Sequence, residues 1–224
     1  MKKGILLVIF LFLAGCSVSN NIDKRSYNND AGDIIQTKPL EDVCLTNEEY
    51  SEVAKLNVPV LTLPFDMDDF SSKFWGAIPF CADQWEIGKL HNALDFEVKP
   101  DSKIYAAVDG EIRFIKVGED EGAGDVIDVE IGNLKIGYAG LTNVQVKIGD
   151  HISRGDYLGD AAITPYGEYH LHLGISTNGN FECPIKYMDQ EFIEATRQMF
   201  AESHYPSQLE FPCACNCEYM PSSN

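Results

Sequence analysis

Three of the five histidines fall in two short motifs, and the first of these motifs also contains an aspartate. His91 and Asp95 are four residues apart, and His170 and His172 are two apart. Residues at even spacing on a β-strand point to the same face, so each motif can direct two side chains at one ion. Two imidazoles and a carboxylate are a normal ligand set for catalytic zinc, which keeps a fourth position for water. Each motif alone is more often structural, and their combination favours a metal site.

The sequence around these motifs predicts short strands separated by turns, which indicates a mainly β fold, an antiparallel barrel or sandwich. Turn signals such as Asp109-Gly110, Gly132-Asn133 and Asn178-Gly179 lie between the runs. An amphipathic pattern over 189–203 predicts a C-terminal helix. The strand-like runs are 93–98, 104–108, 111–117, 126–131, 134–138 and 171–177.

The amino-terminal residues are typical of an export signal. Lys2 and Lys3 precede an apolar run over 5–14, which is too short for a stable membrane-spanning helix. The run ends in Leu13-Ala14-Gly15-Cys16, which closely resembles a bacterial lipobox. This resemblance implies cleavage before Cys16, lipid attachment to that cysteine and a cell-envelope location facing the periplasm or exterior. An ordinary signal peptide with a chance cysteine is the alternative.

The remaining chain divides by composition. We expect a signal peptide over 1–15, a flexible polar tether over 16–42, an irregular segment over 43–86, a β domain over 87–187, and a helix with a cysteine-rich tail over 188–224. The formal net charge of −18 argues against nucleic acid as a partner. The aromatics of the irregular segment are expected to pack a small layer rather than to line a groove; they are Phe74, Trp75, Phe80 and Trp85.

Six cysteines remain once Cys16 is set aside, and an even number in an exported chain predicts disulfides. Sequence alone does not select the pairing. A thiolate metal cluster in the tail is the rival interpretation. The six cysteines are Cys44, Cys81, Cys183, Cys213, Cys215 and Cys217.

Four blocks, in order, resemble the lysostaphin-type (LytM-like) zinc endopeptidases, which cut peptide cross-links in peptidoglycan. The stretch 91–95 resembles the His-x-Gly-x-Asp motif of this family, with alanine in place of glycine. The stretch 170–173 resembles its His-Leu-His-Phe motif. The stretches 105–110 and 147–159 resemble the two glycine-bearing segments between them. The resemblance covers under half of the chain and implies a domain of this type over 87–187.

The resemblance implies one Zn²⁺ per chain, held by His91, Asp95 and His172, with His170 as a catalytic histidine. The chain departs from the family at Gly140, where a second catalytic histidine is usual. Glycine cannot accept a proton, so we expect reduced turnover, and a histidine introduced there is expected to raise the rate. His151, expected in a solvated turn, and His204 fit neither motif.

Three functions are compatible with these features. The first is a zinc endopeptidase whose partners are the stem or bridge peptides of peptidoglycan. The second is a catalytically inactive domain that binds peptidoglycan or regulates other hydrolases. The third is a phosphocarrier, which export to the envelope disfavours. The retention of all the implied ligands favours the enzyme.

Overall fold

The computed structural model describes residues 60–82, 91–118 and 124–204, which belong to one compact unit. The expected signal peptide, tether, Trp85, Cys44 and the three tail cysteines lie outside the described residues. Within those residues, no helix has the length and apolar character needed to cross a bilayer.

The described chain is mainly β, with one α-helix near its end, as predicted. Every pairing between strands is antiparallel. The helix α1 spans Gln190–Glu202 and is capped by Asp189, whose side chain accepts a hydrogen bond from the Phe192 amide. The strands are β1 (Ala77–Ile78), β2 (Ala93–Val98), β3 (Lys103–Tyr105), β4 (Gly110–Lys116), β5 (Asp125–Ile131), β6 (Leu134–Thr142), β7 (His151–Ile152), β8 (Tyr157–Ala161), β9 (Tyr169–Thr177) and β10 (Asn180–Glu182).

The strands form one sheet in the order β1-β2-β9-β6-β5-β4-β7. Strand β10 adds to β9, and β8 pairs with both β3 and β6. Strands β2 and β9 are far apart along the chain but are direct neighbours in the sheet. This pairing brings the two histidine motifs, which are distant in sequence, to the same part of the sheet.

Alternation along β2 and β9 separates an apolar face from a polar one. Leu94, Phe96, Leu171 and Leu173 are fully buried on the first face. Phe96 contacts Phe65 from the preceding segment, with ring centroids 5.6 Å apart, and it also contacts Phe192 of α1. The core thus fixes both strands from one side and leaves their other face to carry polar side chains.

Candidate metal centre

The cross-strand register brings the two motifs together. Asp95 on β2 lies directly opposite His172 on β9, and Glu97 lies opposite His170. Directly opposed residues of an antiparallel pair have their Cβ atoms about 4.5–5.5 Å apart and their side chains on one face. His91 lies two residues before β2 and reaches the same face. The structure therefore groups His91, Asp95 and His172, the three residues that the family resemblance implies as ligands.

The three side chains approach one another closely. Oδ1 of Asp95 lies 2.8 Å from Nδ1 of His172 and 3.1 Å from Nε2 of His91. The two imidazole nitrogens are 3.3 Å apart. His91 is almost fully buried, whereas the His172 side chain retains 29% of its exposure. The cluster is thus enclosed on the His91 side and open to solvent on the other.

The segment before β2 holds the His91 ring in one orientation. The Pro79 carbonyl lies 2.9 Å from Nδ1 of His91 and can only accept, so it selects the tautomer with the proton on Nδ1. The lone pair of Nε2 then faces Asp95 and His172. Backbone bonds from the Cys81 amide to the His91 carbonyl and from the His91 amide to the Ala82 carbonyl fix the main chain. Such support is typical of metal-binding histidines.

Electrostatics keep the carboxylate ionised. Burial raises the pKa of Asp95, but the neighbouring His91 and His172 outweigh burial and hold that pKa well below its usual range. Burial lowers the pKa of His91, but the charge of Asp95, the close contact with its carboxylate and the Pro79 carbonyl together outweigh burial and leave that pKa raised. Asp95 is therefore available as an anionic ligand at neutral pH.

The geometry of the cluster fits a zinc ion. Oδ1 of Asp95 is buried and accepts no well-directed hydrogen bond, although both imidazole nitrogens are within contact distance. Zinc at about 2.0–2.1 Å from tetrahedral ligands requires those ligand atoms to be roughly 3.3 Å apart. The observed separations of 2.8, 3.1 and 3.3 Å approach this arrangement. A buried oxygen beside two imidazole nitrogens, with no hydrogen bond from the described residues, is suited to sharing a cation with them.

His170 lies on the same face as His172 but outside the three-residue cluster. Its Nδ1 atom is buried and has no hydrogen-bond partner in the part of the chain that the structure describes. Burial lowers the pKa of His170 below the ordinary value for histidine, so the ring is neutral at pH 7. The ring packs against Trp75, with centroids 5.5 Å apart and planes inclined by 65°. A neutral imidazole beside a metal site is suited to proton transfer.

Two features of the site were not predicted from sequence. Trp75 contacts His170, so it is not only part of a packed aromatic layer as expected, whereas Phe80 is buried and Phe74 is largely exposed. Glu97 is buried beside the site and holds the segment that carries Trp75. The alternation along β2 predicts that Glu97 lies on the polar face of the strand. It does not predict the backbone amides that donate to Glu97, because they are distant in sequence.

Gly140 has a conformational reason to be glycine. In the pairing of β6 with β5, Asp125 faces Leu141 and Val126 faces Ala139, so Gly140 is the extra residue of a bulge. Its φ is +81°, and a Cβ atom there would lie 2.5 Å from the His170 carbonyl oxygen. This backbone disfavours any side chain. The expectation that histidine at position 140 would raise turnover is therefore not supported.

The other two histidines lie away from the three ligands. His151 begins strand β7 and is exposed, so the prediction of solvation is right and the prediction of a turn is wrong. His204 follows α1, is exposed, and its amide donates to the Trp75 carbonyl. Cys81 and Cys183 are buried and each is disulfide-bonded. The oxidation of all six cysteines stays a prediction.

The comparison with known proteins agrees with the motifs. Residues 89–184 match the model of peptidase family M23. This stretch is an M23 family domain. It contains β2 through β10 and all three residues of the metal-site cluster. No curated protein matches the chain.

Solved structures that are similar to this chain include the following three. A Csd3 structure from Helicobacter pylori is 24% identical, with 58% of this chain and 35% of that chain covered and a TM-score of 0.46. A zinc-containing peptidase from Vibrio cholerae is 22% identical over 56% and 39%, with a TM-score of 0.47. The lysostaphin catalytic domain from Staphylococcus simulans is 21% identical over 52% and 96%, with a TM-score of 0.42. The chain thus spans about a third of the Helicobacter pylori protein.

Proposed function

We propose that this protein is a zinc-dependent endopeptidase that cleaves peptide cross-links of peptidoglycan in the bacterial envelope, with slow turnover. The observation that carries the proposal is the cluster of His91, Asp95 and His172, enclosed on one side and open on the other. A metal that only stabilises a fold usually has four protein ligands, whereas a catalytic zinc has three and an open position. The M23 family match supports peptide hydrolysis as the reaction.

The residues of the site have distinct roles in this proposal. His91, Asp95 and His172 hold the zinc, which when bound polarises a scissile carbonyl and lowers the pKa of water. Asp95 supplies one negative charge, so the ligand set leaves the centre with a net positive charge that favours a developing oxyanion. His170, neutral because it is buried, accepts a proton from the attacking water and passes it to the leaving amine.

Slow turnover follows from the residue at position 140. The motif resemblance implies that related enzymes place a second imidazole there, and this chain has a glycine in a left-handed conformation. His170 alone then performs the proton transfers. Losing one general acid–base group typically costs about 10²–10⁴ in rate.

A second candidate function is a binding or regulatory domain that retains zinc without turnover. The closed backbone at Gly140 favours this alternative, because the position has no space for a catalytic side chain. In that case the zinc centre would hold a peptide carbonyl without cleaving it. Both candidates require the same three ligands, so they are separated by activity rather than by metal content.

The test combines metal analysis with digestion of purified peptidoglycan by the full-length protein. We expect one zinc per chain and release of muropeptides with free amino groups, both lost in His91→Ala. His151→Ala is the matched control, because His151 is exposed and lies outside the cluster. Absence of zinc binding at micromolar metal would rule out both candidates. Zinc binding with no released peptide under any condition would select the binding domain.

We also propose that the protein is anchored to the membrane through a lipid on Cys16. The support is the lipobox-like Leu13-Ala14-Gly15-Cys16 after a short apolar run. Acyl chains would supply the attachment that the strong negative charge of the chain does not provide. Cys16→Ser should lose metabolic labelling with a fatty acid and move to the soluble fraction. Unchanged labelling in that variant would exclude the proposal.

A further inference from the structure

Glu97 is a buried carboxylate next to the metal centre. It lies two residues after Asp95 on the same face of β2 and directly opposite His170 on β9. Only 1% of the residue is exposed. A carboxylate removed from water is costly unless hydrogen bonds compensate it, so its partners indicate what it is for.

The partners of Glu97 all belong to the segment 71–76, named here the Trp75 segment. The Ser71 hydroxyl donates to Oε1 over 2.7 Å. Three consecutive backbone amides, of Phe74, Trp75 and Gly76, donate to Oε2 over 3.1, 2.9 and 3.0 Å. Successive amides that converge on one anion form a strong binding arrangement in a turn.

The main chain of Glu97 holds the same segment. Its amide donates to the Gly76 carbonyl over 2.6 Å, and its carbonyl accepts from the Ser71 amide over 2.9 Å. One residue therefore binds both ends of the Trp75 segment as well as its middle. These bonds from a single residue therefore hold the conformation of the Trp75 segment.

The Trp75 segment is also held from the side of α1. The Ser203 hydroxyl accepts from the Ala77 amide over 2.8 Å, and the His204 amide donates to the Trp75 carbonyl over 3.0 Å. Gly76 has a φ of +86°, and a Cβ atom there would lie 2.6 Å from the Ser203 hydroxyl. The segment thus fits between Glu97 and the end of α1 with no space for an added methyl group.

The product of this arrangement is the contact between Trp75 and His170. The indole is the aromatic neighbour of the His170 ring, at 5.5 Å between centroids and edge-on. Among the described residues, Nδ1 of His170 has no hydrogen-bond partner, so the packing of Trp75 contributes to restricting rotation of this ring. The indole is half-buried, so its remaining surface faces outward beside the site.

We propose that Glu97 is a positioning residue, which anchors the Trp75 segment so that the indole holds His170 in its working orientation. This proposal rests on the function proposed above, because it assigns His170 to proton transfer. The side-chain hydrogen bonds of Glu97 go to the Trp75 segment and not to the three candidate metal ligands. It acts through three backbone amides and one indole ring.

A carboxylate is required for this role by the nature of the donors. Glutamine has nearly the same shape, but its amide group would direct N–H donors at backbone N–H donors. Glu97→Gln therefore removes the anchor while it retains the volume of the side chain. Glu130→Gln is the matched control, because Glu130 lies on β5 and its side chain forms surface ion pairs with Arg113 and Lys135, away from the Trp75 segment.

The first measurement follows the indole without any requirement for activity. In a Trp85→Phe background, Trp75 is the single tryptophan of the full-length chain. Acrylamide quenching of its fluorescence should rise at least about twofold in Glu97→Gln, because a released segment exposes the ring to solvent. Glu130→Gln should leave quenching unchanged. Equal quenching in Glu97→Gln and the parent protein would overturn the anchor.

The second measurement concerns turnover and separates positioning from general stability. Trp75→Ala removes only the indole, and it should lower kcat by about tenfold or more, since small displacements of a catalytic group have large effects. Trp75→Phe should restore much of this loss, and zinc content should stay at the parent value in both. Wild-type kcat in Trp75→Ala would overturn the proposal, even if Glu97→Gln fails to fold. A parent protein with no activity would refute the proposed function, while the quenching result would still decide the anchor.

Discussion

Strand β9 has two neighbours that contribute very differently to the site. On the β2 side, the face shared with His172 carries Asp95, a candidate metal ligand, and Glu97, the proposed anchor. On the β6 side, the same face carries Gly137 opposite Gly174 and Ala139 opposite His172. The candidate functional side chains therefore come from one side of the strand, and the other side carries small residues. The comparison indicates that β2 and β9 supply the candidate site, whereas β6 adds no side chain suited to proton transfer at these positions.

The largest effect is expected from removing a ligand on the β2 side. His91→Ala should lower zinc affinity by more than about a hundredfold, since even loss of a residue that supports a ligand costs roughly 10–100-fold. Metal content after dialysis, measured by mass spectrometry, checks this. Unfolding should also shift to lower temperature because the stabilisation by bound metal is lost. Full zinc occupancy in His91→Ala would show that the ligands lie elsewhere.

The next effect separates proton transfer from metal binding. His170→Ala should keep zinc bound and lower turnover of peptidoglycan by about 10²–10⁴, the usual contribution of a general acid–base group. His204→Ala is the control, because this histidine is exposed. Retained turnover in His170→Ala would show that a group other than His170 performs the proton transfer. Loss of zinc would instead make His170 part of the metal centre.

The β6 side is tested by adding the smallest side chain. Gly140→Ala should lower the free energy of unfolding by about 1–3 kcal/mol for the left-handed conformation alone, with a further cost from contact with the His170 carbonyl. Gly132→Ala is the control, because its φ is +61° but nothing lies within 4 Å of an added Cβ. Chemical denaturation of both variants isolates the contact. Equal losses of unfolding free energy in the two variants would show that the β6 bulge accommodates the added methyl group without further cost.

The smallest effect is expected from the charged residues of the β6 side. Nζ of Lys135 lies 3.3 Å from a carboxylate oxygen of Asp128 and 3.8 Å from one of Glu130, and the Lys135 side chain is 42% exposed. Surface ion pairs of this kind contribute about 0–1 kcal/mol. Lys135→Gln should therefore change stability by less than about 1 kcal/mol and leave turnover unchanged. A large fall in turnover would show that this side binds substrate, which would weaken the contrast between the two neighbours of β9.

The longer strands were predictable because alternation is a local signal. The predicted run 93–98 coincides with β2, and β5, β6 and β9 begin within two residues of the predicted runs. Spacing alone paired His91 with Asp95 and His170 with His172, whereas the set of His91, Asp95 and His172 followed from the family resemblance, and the structure brings these three together. The short strands β1, β7, β8 and β10 were missed, because they depend on pairing rather than on alternation.

Contacts between distant segments could not be predicted. The bonds from residues 74–76 to Glu97 span more than twenty positions and use backbone amides, which carry no sequence signal. The bulge at Gly140 was interpreted as the loss of a histidine, and its left-handed backbone became evident only in the fold. Sequence thus located the candidate metal-binding side chains but not the main chain that arranges their surroundings.

The separation of the two imidazoles along the chain also determines the order of events during folding. His91 and His172 are 81 positions apart, and they meet only when β2 pairs with β9. Pairing of such distant strands is slow, because a long loop must close before any contact forms. A metal ion that needs both imidazoles therefore stabilises the finished sheet and slows its unfolding, but it cannot nucleate the sheet. Binding of a metal ion by both imidazoles would therefore indicate that β2 has paired with β9.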